Sequence, residues 1–277
     1  MNFALDAIWW RLSNPHIRAL ASVLVAPALW RTGRELSVRE LLGERGFRYL
    51  LDLDDNKSFR LPENVGNPLL GKYAENLLAF WLANAPHSRL LGRNVQLFDF
   101  KNQLVGELDF VAQLNGRIYH IELACKYFGA YDGQPENMVG LNSQDNLLNK
   151  IDKLNQQLNY SQNPAGQQAL ANLGVNAAEV QCVSVVRGMG FSHSGSLKNV
   201  RYAENAWTGV LLNHLQQIDF KNKKFYRLPK NQFLAPARVS CSLVVDWDKI
   251  GEQSGLIAEV VQRPDGYFHE IQRFMLI

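Results

Sequence analysis

The dipeptide Asn115-Gly116 constrains the fold of this chain more than any other local feature. It separates two apolar-rich runs, 104–114 and 117–128. Asn-Gly between two such runs is the strongest short-range signal for a two-residue β-hairpin, because both turn positions need a positive φ angle. A two-residue turn also sets the register: Leu114 faces Arg117, and the residue numbers of every later pair sum to 231, as 114 and 117 do.

This register places Asp109 directly opposite Glu122. The two residues form a non-hydrogen-bonded pair, with Cβ atoms roughly 5 Å apart. Two ionised carboxylates at that distance repel each other unless a cation or a shared proton relieves the repulsion. An oxygen-rich pair of this kind suits Mg²⁺ or Mn²⁺, so the sequence predicts a divalent-metal site on the hairpin.

Strand alternation assigns the neighbouring side chains to two faces. The polar face carries Glu107, Asp109, His120, Glu122, Ala124 and Lys126, and the apolar face carries Leu108, Phe110, Ile121, Leu123 and Cys125. We expect Glu107 to be a solvent-side charge or a supporting group. His120 is either a base or, as lone strand histidines more often are, a hydrogen-bonded structural residue.

A simpler interpretation of the same pattern is a hairpin with a solvated face. Glu107, Asp109 and Glu122 are then ordinary surface charges, and Lys126 softens their repulsion. Both strands are otherwise rich in apolar residues, and an amphipathic helix is predicted on each side of them in the sequence. Those features favour an internal strand pair with few solvated positions.

The composition sets the class of protein and excludes several kinds of site. With 277 residues, 47% of them hydrophobic, the chain can build a substantial core, and its net charge of +3 permits a polyanionic partner. Cys125, Cys182 and Cys241 are odd in number and far apart, which excludes a zinc ribbon or disulfide framework and favours a reducing cytoplasm. The longest apolar run, 19–30, contains Pro27 and is too short to span a membrane. No secretory signal is recognised.

Periodicity and breaker residues divide the chain into three units: a helical N-terminal element in 1–60, a core in 61–230, and a β-rich C-terminal extension in 231–277 packed on that core. The core is predicted to contain a helix from Pro68, strands at 95–100, 104–114 and 117–128, a helix at 143–160, a strand at 180–187 and a helix near 206–217. The glycine-rich segment 187–195 is predicted to be a flexible loop bordering the site. Strands are expected at 242–247, 256–262 and 267–275.

Three segments of the core resemble the PD-(D/E)XK nuclease superfamily: the helix LGKYAENLLAFWL, the strand GELDFVAQ and the strand YHIELACKYF. The resemblance implies an α/β fold of the restriction-endonuclease-like type, with an αβββαβ core around a mixed central sheet. More narrowly, these segments together with LPKNQFLAPA and the closing HEIQRFMLI resemble a bacterial domain-of-unknown-function family assigned to that superfamily.

The superfamily resemblance gives roles to individual residues. Asp109 and Glu122, with the backbone carbonyl of Leu123, are expected to bind the divalent ion. Glu75 is expected to add an outer ligand or hold a second ion, although helical geometry alone is equally consistent with a boundary carboxylate. Superfamily members carry the catalytic lysine two positions after the second acid, where this chain has alanine. Lys126 is expected to orient the attacking water from about 6.6 Å further along the strand.

The predicted function is that of a cytoplasmic nuclease, dependent on Mg²⁺ or Mn²⁺, that cleaves DNA or RNA without membrane association. The main alternative is a noncatalytic descendant of the fold that binds nucleic acid or a protein partner, because folds outlive activities and the lysine is displaced. A metal-dependent enzyme of another class is the third possibility. Lys150 and Lys153 share a helix face and are either phosphate contacts or part of a solvated surface, with the second favoured.

Overall fold

The computed structural model describes residues 9–56, 69–142, 144–213 and 220–277. Within these residues the chain is a mixed α/β protein with a large mixed central sheet, as expected. The N-terminal part is helical, with α1 at Pro15–Val25, α2 at Val38–Leu42 and α3 at Gly46–Asp55. Residues 57–68, which include the predicted boundary between the N-terminal element and the core, lie outside the described residues.

The predicted hairpin is present with the predicted register. β1 spans Ser88–Phe98, β2 spans Leu104–Leu114 and β3 spans Arg117–Gly129. The pairs of β2 and β3 run from Leu114↔Arg117 to Phe110↔Ile121, and their residue numbers sum to 231 throughout. Asn115 and Gly116 both have positive φ, 49° and 84°, as a two-residue turn between twisted strands requires.

Among the described residues, the hairpin is one part of a ten-stranded sheet. The further strands are β4 at Val139–Gly140, β5 at Val180–Ser192, β6 at Thr208–Leu212, β7 at Lys224–Arg227, β8 at Arg238–Val239, β9 at Gly255–Gln262 and β10 at Phe268–Leu276. The main path is β1-β2-β3-β5-β6-β10-β9-β7, with β4 paired to β3 and β8 to β10. The three pairings from β3 through β5 and β6 to β10 are parallel. The C-terminal strands therefore extend the sheet that carries the acids.

The helix predicted from Pro68 is α4, at Leu70–Asn84. Most of its residues are strong helix formers, and it ends before Pro86, whose ring disfavours a helical conformation at the preceding residue. Tyr73, Leu77 and Trp81 are buried in the cluster that also contains residues of α1 and of the hairpin. The helix thus fixes one face of the hairpin against the N-terminal part of the chain.

Two further helices, α5 at Leu147–Gln157 and α6 at Pro164–Asn172, pack on other apolar clusters of the sheet. The side chain of Asn146 caps α5 by accepting hydrogen bonds from two amides of its first turn. α5 packs around Ala124 of β3, and α6 around Val111 of β2. In the part of the chain that the structure describes, no helix has the length and apolar content needed to cross a membrane.

Two elements predicted for the second half of the chain are wrong. The expected helix near 206–217 contains β6 instead, and the end of that range lies outside the described residues. A short apolar run does not distinguish a helix from a buried parallel strand, which explains the error. The expected strand at 242–247 begins as a 3₁₀ turn, Cys241–Leu243, and pairs only through a bridge at Val245 within the described residues.

The segment 187–195, predicted to be a flexible loop, is mostly a buried strand, because β5 continues to Ser192. Its glycines serve close packing here. Gly188 has a φ of +133°, and a Cβ atom at this position would lie 1.7 Å from the backbone oxygen of Lys126. Glycine is therefore required for β5 to approach β3 at this point.

We expect Gly188→Ala to lower the free energy of unfolding by about 2–6 kcal/mol, because it combines backbone strain with a steric clash. Urea unfolding measures the change. Gly71→Ala is the matched control, since Gly71 is exposed in α4 and its added Cβ meets no atom within 4 Å; it should gain about 0.5–1 kcal/mol. Wild-type stability in the Gly188 variant would contradict the described approach of β5 to β3.

Candidate functional site

The backbone pairing of β2 with β3 stops at Phe110↔Ile121, one residue before the two predicted acids. There the carboxylates replace backbone carbonyls as acceptors. The amide of Asp109 donates to Oε1 of Glu122 (3.3 Å), and the amide of Leu123 donates to Oδ2 of Asp109 (2.9 Å). Side chains thus hold the two strands together at this point, and the structure brings the predicted acid pair into direct contact.

The alternation of side chains along β2 breaks at Asp109. Leu108 was expected on the same face as Phe110, but it packs in the cluster of Val111 and α6, whereas Phe110 packs in the cluster of α4. On the other side of β2, Asn94 lies between the β1 residues paired with Phe110 and Leu108, and it has a φ of 50°. Irregular backbone on one side and carboxylate acceptors on the other explain the break. Leu108 therefore lies on the opposite face from the one predicted.

Burial dominates the electrostatics of both acids. It raises the pKa of Asp109 to about 7, the charge of Glu122 adds to that rise, and the hydrogen bond from the Leu123 amide opposes it. Burial also raises the pKa of Glu122 to about 7, against hydrogen bonds from the amide and carboxyl of Asp109. Glu122 is fully buried, which decides against the solvated-face interpretation for this residue. Both acids therefore keep their protons to a higher pH than ordinary carboxyls do.

Glu122 has one carboxylate oxygen in use and one without a partner. Oε1 accepts hydrogen bonds from the amide of Asp109 and from Nε2 of His120, the latter at 2.7 Å. Oε2 is buried and has no hydrogen-bond partner in the structure. A buried, unpartnered oxygen costs about 1–3 kcal/mol of desolvation, so Oε2 of Glu122 is a candidate ligand atom.

Glu75 lies near the pair but is held by two cations. Its Oε1 accepts from Nζ of Lys72 (2.7 Å) and from Nη2 of Arg93 (2.8 Å). Its negative charge contributes to the raised pKa of Asp109, which places it within electrostatic reach of the site. Its role as an outer ligand stays a prediction, because its described contacts are with these two cations.

The two lysines of interest are placed differently from the sequence expectation. Lys126 donates to Oδ2 of Asp145 at 2.6 Å, just before α5. Lys150, on α5, instead exerts its charge on both acids and lowers their pKa values. Burial lowers the pKa of Lys150, and so do the charges of Lys153 and Lys126. Lys150 is thus the lysine whose charge bears on the pair, from a helix that sequence analysis favoured as a solvated face.

The donor set suits a hard divalent cation. Carboxylate oxygens of Asp109 and Glu122 are the ligands that Mg²⁺ and Mn²⁺ prefer, and the unpartnered Oε2 of Glu122 is available to one. Among the described residues, no three His, Cys, Asp or Glu side chains are grouped as a metal site. The backbone of Leu123 lies against Asp109, and water or substrate oxygens complete the shell of ions such as Mg²⁺. The residues present fit such an ion.

A groove of about 940 Å³ lies elsewhere, between the N-terminal helices and β5, β6 and β10. Trp9 and Trp207 contribute to its walls, together with the guanidinium groups of Arg187 and Arg273. Arg187 donates to the carbonyls of the last turn of α1, and Arg273 donates to Glu270 and to two backbone carbonyls. Both guanidinium groups are thus engaged in hydrogen bonds that stabilise the fold. The acid pair, which has an unpartnered oxygen, is therefore the stronger candidate for a functional site.

Three polar residues next to the acids carried no sequence signal of their role. Ser161 accepts or donates at Nδ1 of His120, Asp145 pairs with Lys126, and Arg93 pairs with Glu75. Each comes from a different element or connection, so no local spacing links it to the hairpin. Only the parallel pairing of β3 with β5, had it been predicted, would have placed Cys182 beside His120.

The comparisons with known proteins give a family and nothing finer. A family model described as a domain of unknown function, DUF1853, matches residues 18–277. No curated protein and no solved structure matches the chain significantly. The expected resemblance to a domain-of-unknown-function family is confirmed by this match, and the wider resemblance to a nuclease superfamily stays a prediction.

The raised pKa values make the stability of the metal-free protein depend on pH. The folded acids keep protons up to pH about 7, whereas the unfolded acids lose them near their ordinary pKa values of 3.8 and 4.5. The folded state therefore binds more protons in between, and the stability this provides is lost as the pH rises towards and through 7. We expect urea unfolding in EDTA to show a loss of about 1 kcal/mol or more between pH 5 and 8.

The Asp109→Asn variant is the control, because it removes one of the two titrating groups and should flatten this pH dependence. Carboxyls whose pKa is lowered, such as Asp265 at about 2, change stability only below this window. Burial lowers the pKa of His16 and of His269, which makes stability rise with pH in the same window in both proteins. The effect of the pair is therefore the difference between the two proteins, and a difference that stays constant from pH 5 to 8 would contradict the raised pKa values.

Proposed function

The chain belongs to the DUF1853 family, and we propose that it is a nuclease that uses Mg²⁺ or Mn²⁺ to hydrolyse phosphodiester bonds of DNA or RNA. One observation carries the proposal: Glu122 is fully buried beside Asp109, whose backbone amide donates to its Oε1, and Oε2 of Glu122 has no hydrogen-bond partner in the structure. A buried acid pair of this kind has a free-energy cost that a divalent cation relieves. When bound, such an ion polarises a phosphodiester and lowers the pKa of a coordinated water.

The remaining roles fall to groups around the pair. Asp109 and Glu122 supply ligand oxygens, and the backbone beside Leu123 offers a carbonyl. Glu75, held by Lys72 and Arg93, acts as an outer carboxylate that orients water or a second ion. Lys150, whose charge lowers the pKa of both acids, stabilises negative charge on the phosphorane, the role expected of Lys126 from the superfamily resemblance.

The order of elements supports this proposal. α4, β1, β2, β3, α5 and β5 follow one another in the helix, three strands, helix, strand sequence that the superfamily resemblance implies, with β4 and α6 inserted. The acids occupy β2 and β3, as that resemblance requires, and Glu75 occupies the preceding helix. A restriction-endonuclease-like core thus accounts for the placement of all three acids by one arrangement.

One observation favours a second candidate function, a module that binds nucleic acid without cutting it. Lys126 is in a 2.6 Å ion pair with Asp145, which leaves the strand lysine away from a water-orienting role. A chain in which Lys150 does not take over that role would keep the fold and the cluster of lysines 126, 150 and 153 but lose turnover.

We expect purified protein to cleave labelled DNA or RNA in Mn²⁺ or Mg²⁺ and not in EDTA. Asp109→Asn and Glu122→Gln should each lower the rate about 100-fold or more, because several kcal/mol of transition-state stabilisation depends on the bound ion. Glu179→Gln, at an exposed site, is the matched control and should cut at the wild-type rate. Binding without cleavage on every substrate would replace the nuclease proposal with the binding module.

We also expect Lys150→Ala to reduce kcat/KM by about 100-fold, the usual effect of removing a group that stabilises transition-state charge. Lys126→Ala should have a clearly smaller effect, because its ammonium is engaged by Asp145. Lys153→Ala, on the exposed side of α5, serves as the control and should act mainly through KM. A greater loss at Lys126 than at Lys150 would return the catalytic role to the strand lysine.

A further inference from the structure

His120 is fully buried and is hydrogen-bonded through both ring nitrogens. Nε2 lies 2.7 Å from Oε1 of Glu122, and Nδ1 lies 3.0 Å from Oγ of Ser161. Glu122 and Ser161 are also completely inaccessible to solvent. A buried imidazole held at both ends has a fixed ring orientation, which it passes on to the groups it contacts.

The contacts continue behind Ser161. Its Oγ lies 3.0 Å from Sγ of Cys182, and the side-chain amide of Gln162 donates to that sulfur at 3.6 Å. Cys182 is the residue paired with His120 in the parallel register of β3 and β5. The relay Gln162–Cys182–Ser161–His120–Glu122 therefore runs from the turn between α5 and α6, across β5, to the acid pair.

The relay determines which oxygen of Glu122 is left for a ligand. Oε1 receives both Nε2 of His120 and the amide of Asp109, while Oε2 receives no hydrogen bond. A carboxylate that binds a cation is ionised and only accepts hydrogen bonds, so in that state Nε2 of His120 is the donor to Oε1.

We infer that His120 is a positioning residue of the acid pair: it engages Oε1 of Glu122 so that Oε2 is presented to a divalent cation. Ser161 keeps the imidazole in this orientation from its other side. The inference rests on the proposed function, because it assumes that the pair binds such a cation. Groups that orient a ligand carboxylate in this way typically change metal affinity 10- to 100-fold when they are replaced.

A matched pair of substitutions separates positioning from simple packing. The amide nitrogen of Gln reaches the place of Nε2, whereas that of Asn reaches only the place of Nδ1. We therefore expect His120→Gln to keep Mn²⁺ affinity near that of the wild type and His120→Asn to weaken it about 10- to 100-fold. Both replace a buried imidazole with a smaller amide, so a purely structural role predicts similar losses in the two variants.

Mn²⁺ binding is measured by the electron paramagnetic resonance signal of the free ion, with folding of each variant checked by urea unfolding. Ser161→Ala tests the relay with His120 intact, and it should also weaken Mn²⁺ binding. Cys182→Ser, which preserves hydrogen bonding to Ser161, should bind as the wild type does. These two variants decide the question if the His120 variants fail to fold.

The outcomes distinguish the two levels of the proposal. Wild-type protein that binds no Mn²⁺ overturns the metal site of the proposed function and this inference with it. Mn²⁺ binding that is weakened equally by His120→Gln and His120→Asn, or is unchanged by Ser161→Ala, overturns the positioning role alone. The positioning role is supported if His120→Gln binds Mn²⁺ nearly as tightly as the wild type does, while His120→Asn and Ser161→Ala bind it more weakly.

Discussion

Two carboxylates take the place of backbone acceptors in the interior of the sheet, and the arrangement of the site depends on that exchange. Because the amides of Asp109 and Leu123 are bonded to Glu122 and Asp109, neither acid can turn away without leaving a buried amide unpaired. The regular pairing of β2 with β3 ends at this exchange, and Leu108, beside it on β2, lies on the opposite face from Phe110. At this point β2 and β3 are joined by hydrogen bonds to the carboxylates of Asp109 and Glu122.

The parallel side of the sheet buries the Glu122 side of the acid pair. β5 pairs with β3 along nearly its whole length, and Gly188 permits the approach beside Lys126. Exclusion of water strengthens every charge interaction at the pair, both the repulsion between the acids and the attraction of Lys150. The same packing places Cys182 and Ser161 behind His120. The sheet therefore both raises the pKa values of the acids and builds the relay that orients Glu122.

The hairpin and the meeting of its two acids could be predicted from the sequence because both depend on residues close together in the chain. Asn115-Gly116 determines the register, and the register determines that Asp109 and Glu122 meet. Prediction failed where the structure depends on distant segments. Leu108 changes face where Asn94 on β1 has a left-handed conformation and carboxylates replace backbone acceptors. Gly188 serves close strand packing, although the glycine-rich segment 187–195 has the composition of a loop. The engagement of Lys126 by Asp145 likewise follows from where α5 begins, which spacing along β3 does not reveal.

The acid pair is a poor device for stability alone. A buried ionisable group is often replaced by a well-packed apolar residue at no cost or with a gain in stability, and an unpartnered buried oxygen costs about 1–3 kcal/mol. Glu122 keeps such an oxygen, while its other oxygen is engaged by two donors and its imidazole neighbour is itself held by Ser161. These contacts fix the orientation of the Glu122 carboxylate although its Oε2 has no hydrogen-bond partner. Local departures from the best-packed solution are expected at functional sites, so the cost retained at Glu122 favours a ligand at this position over a purely structural role.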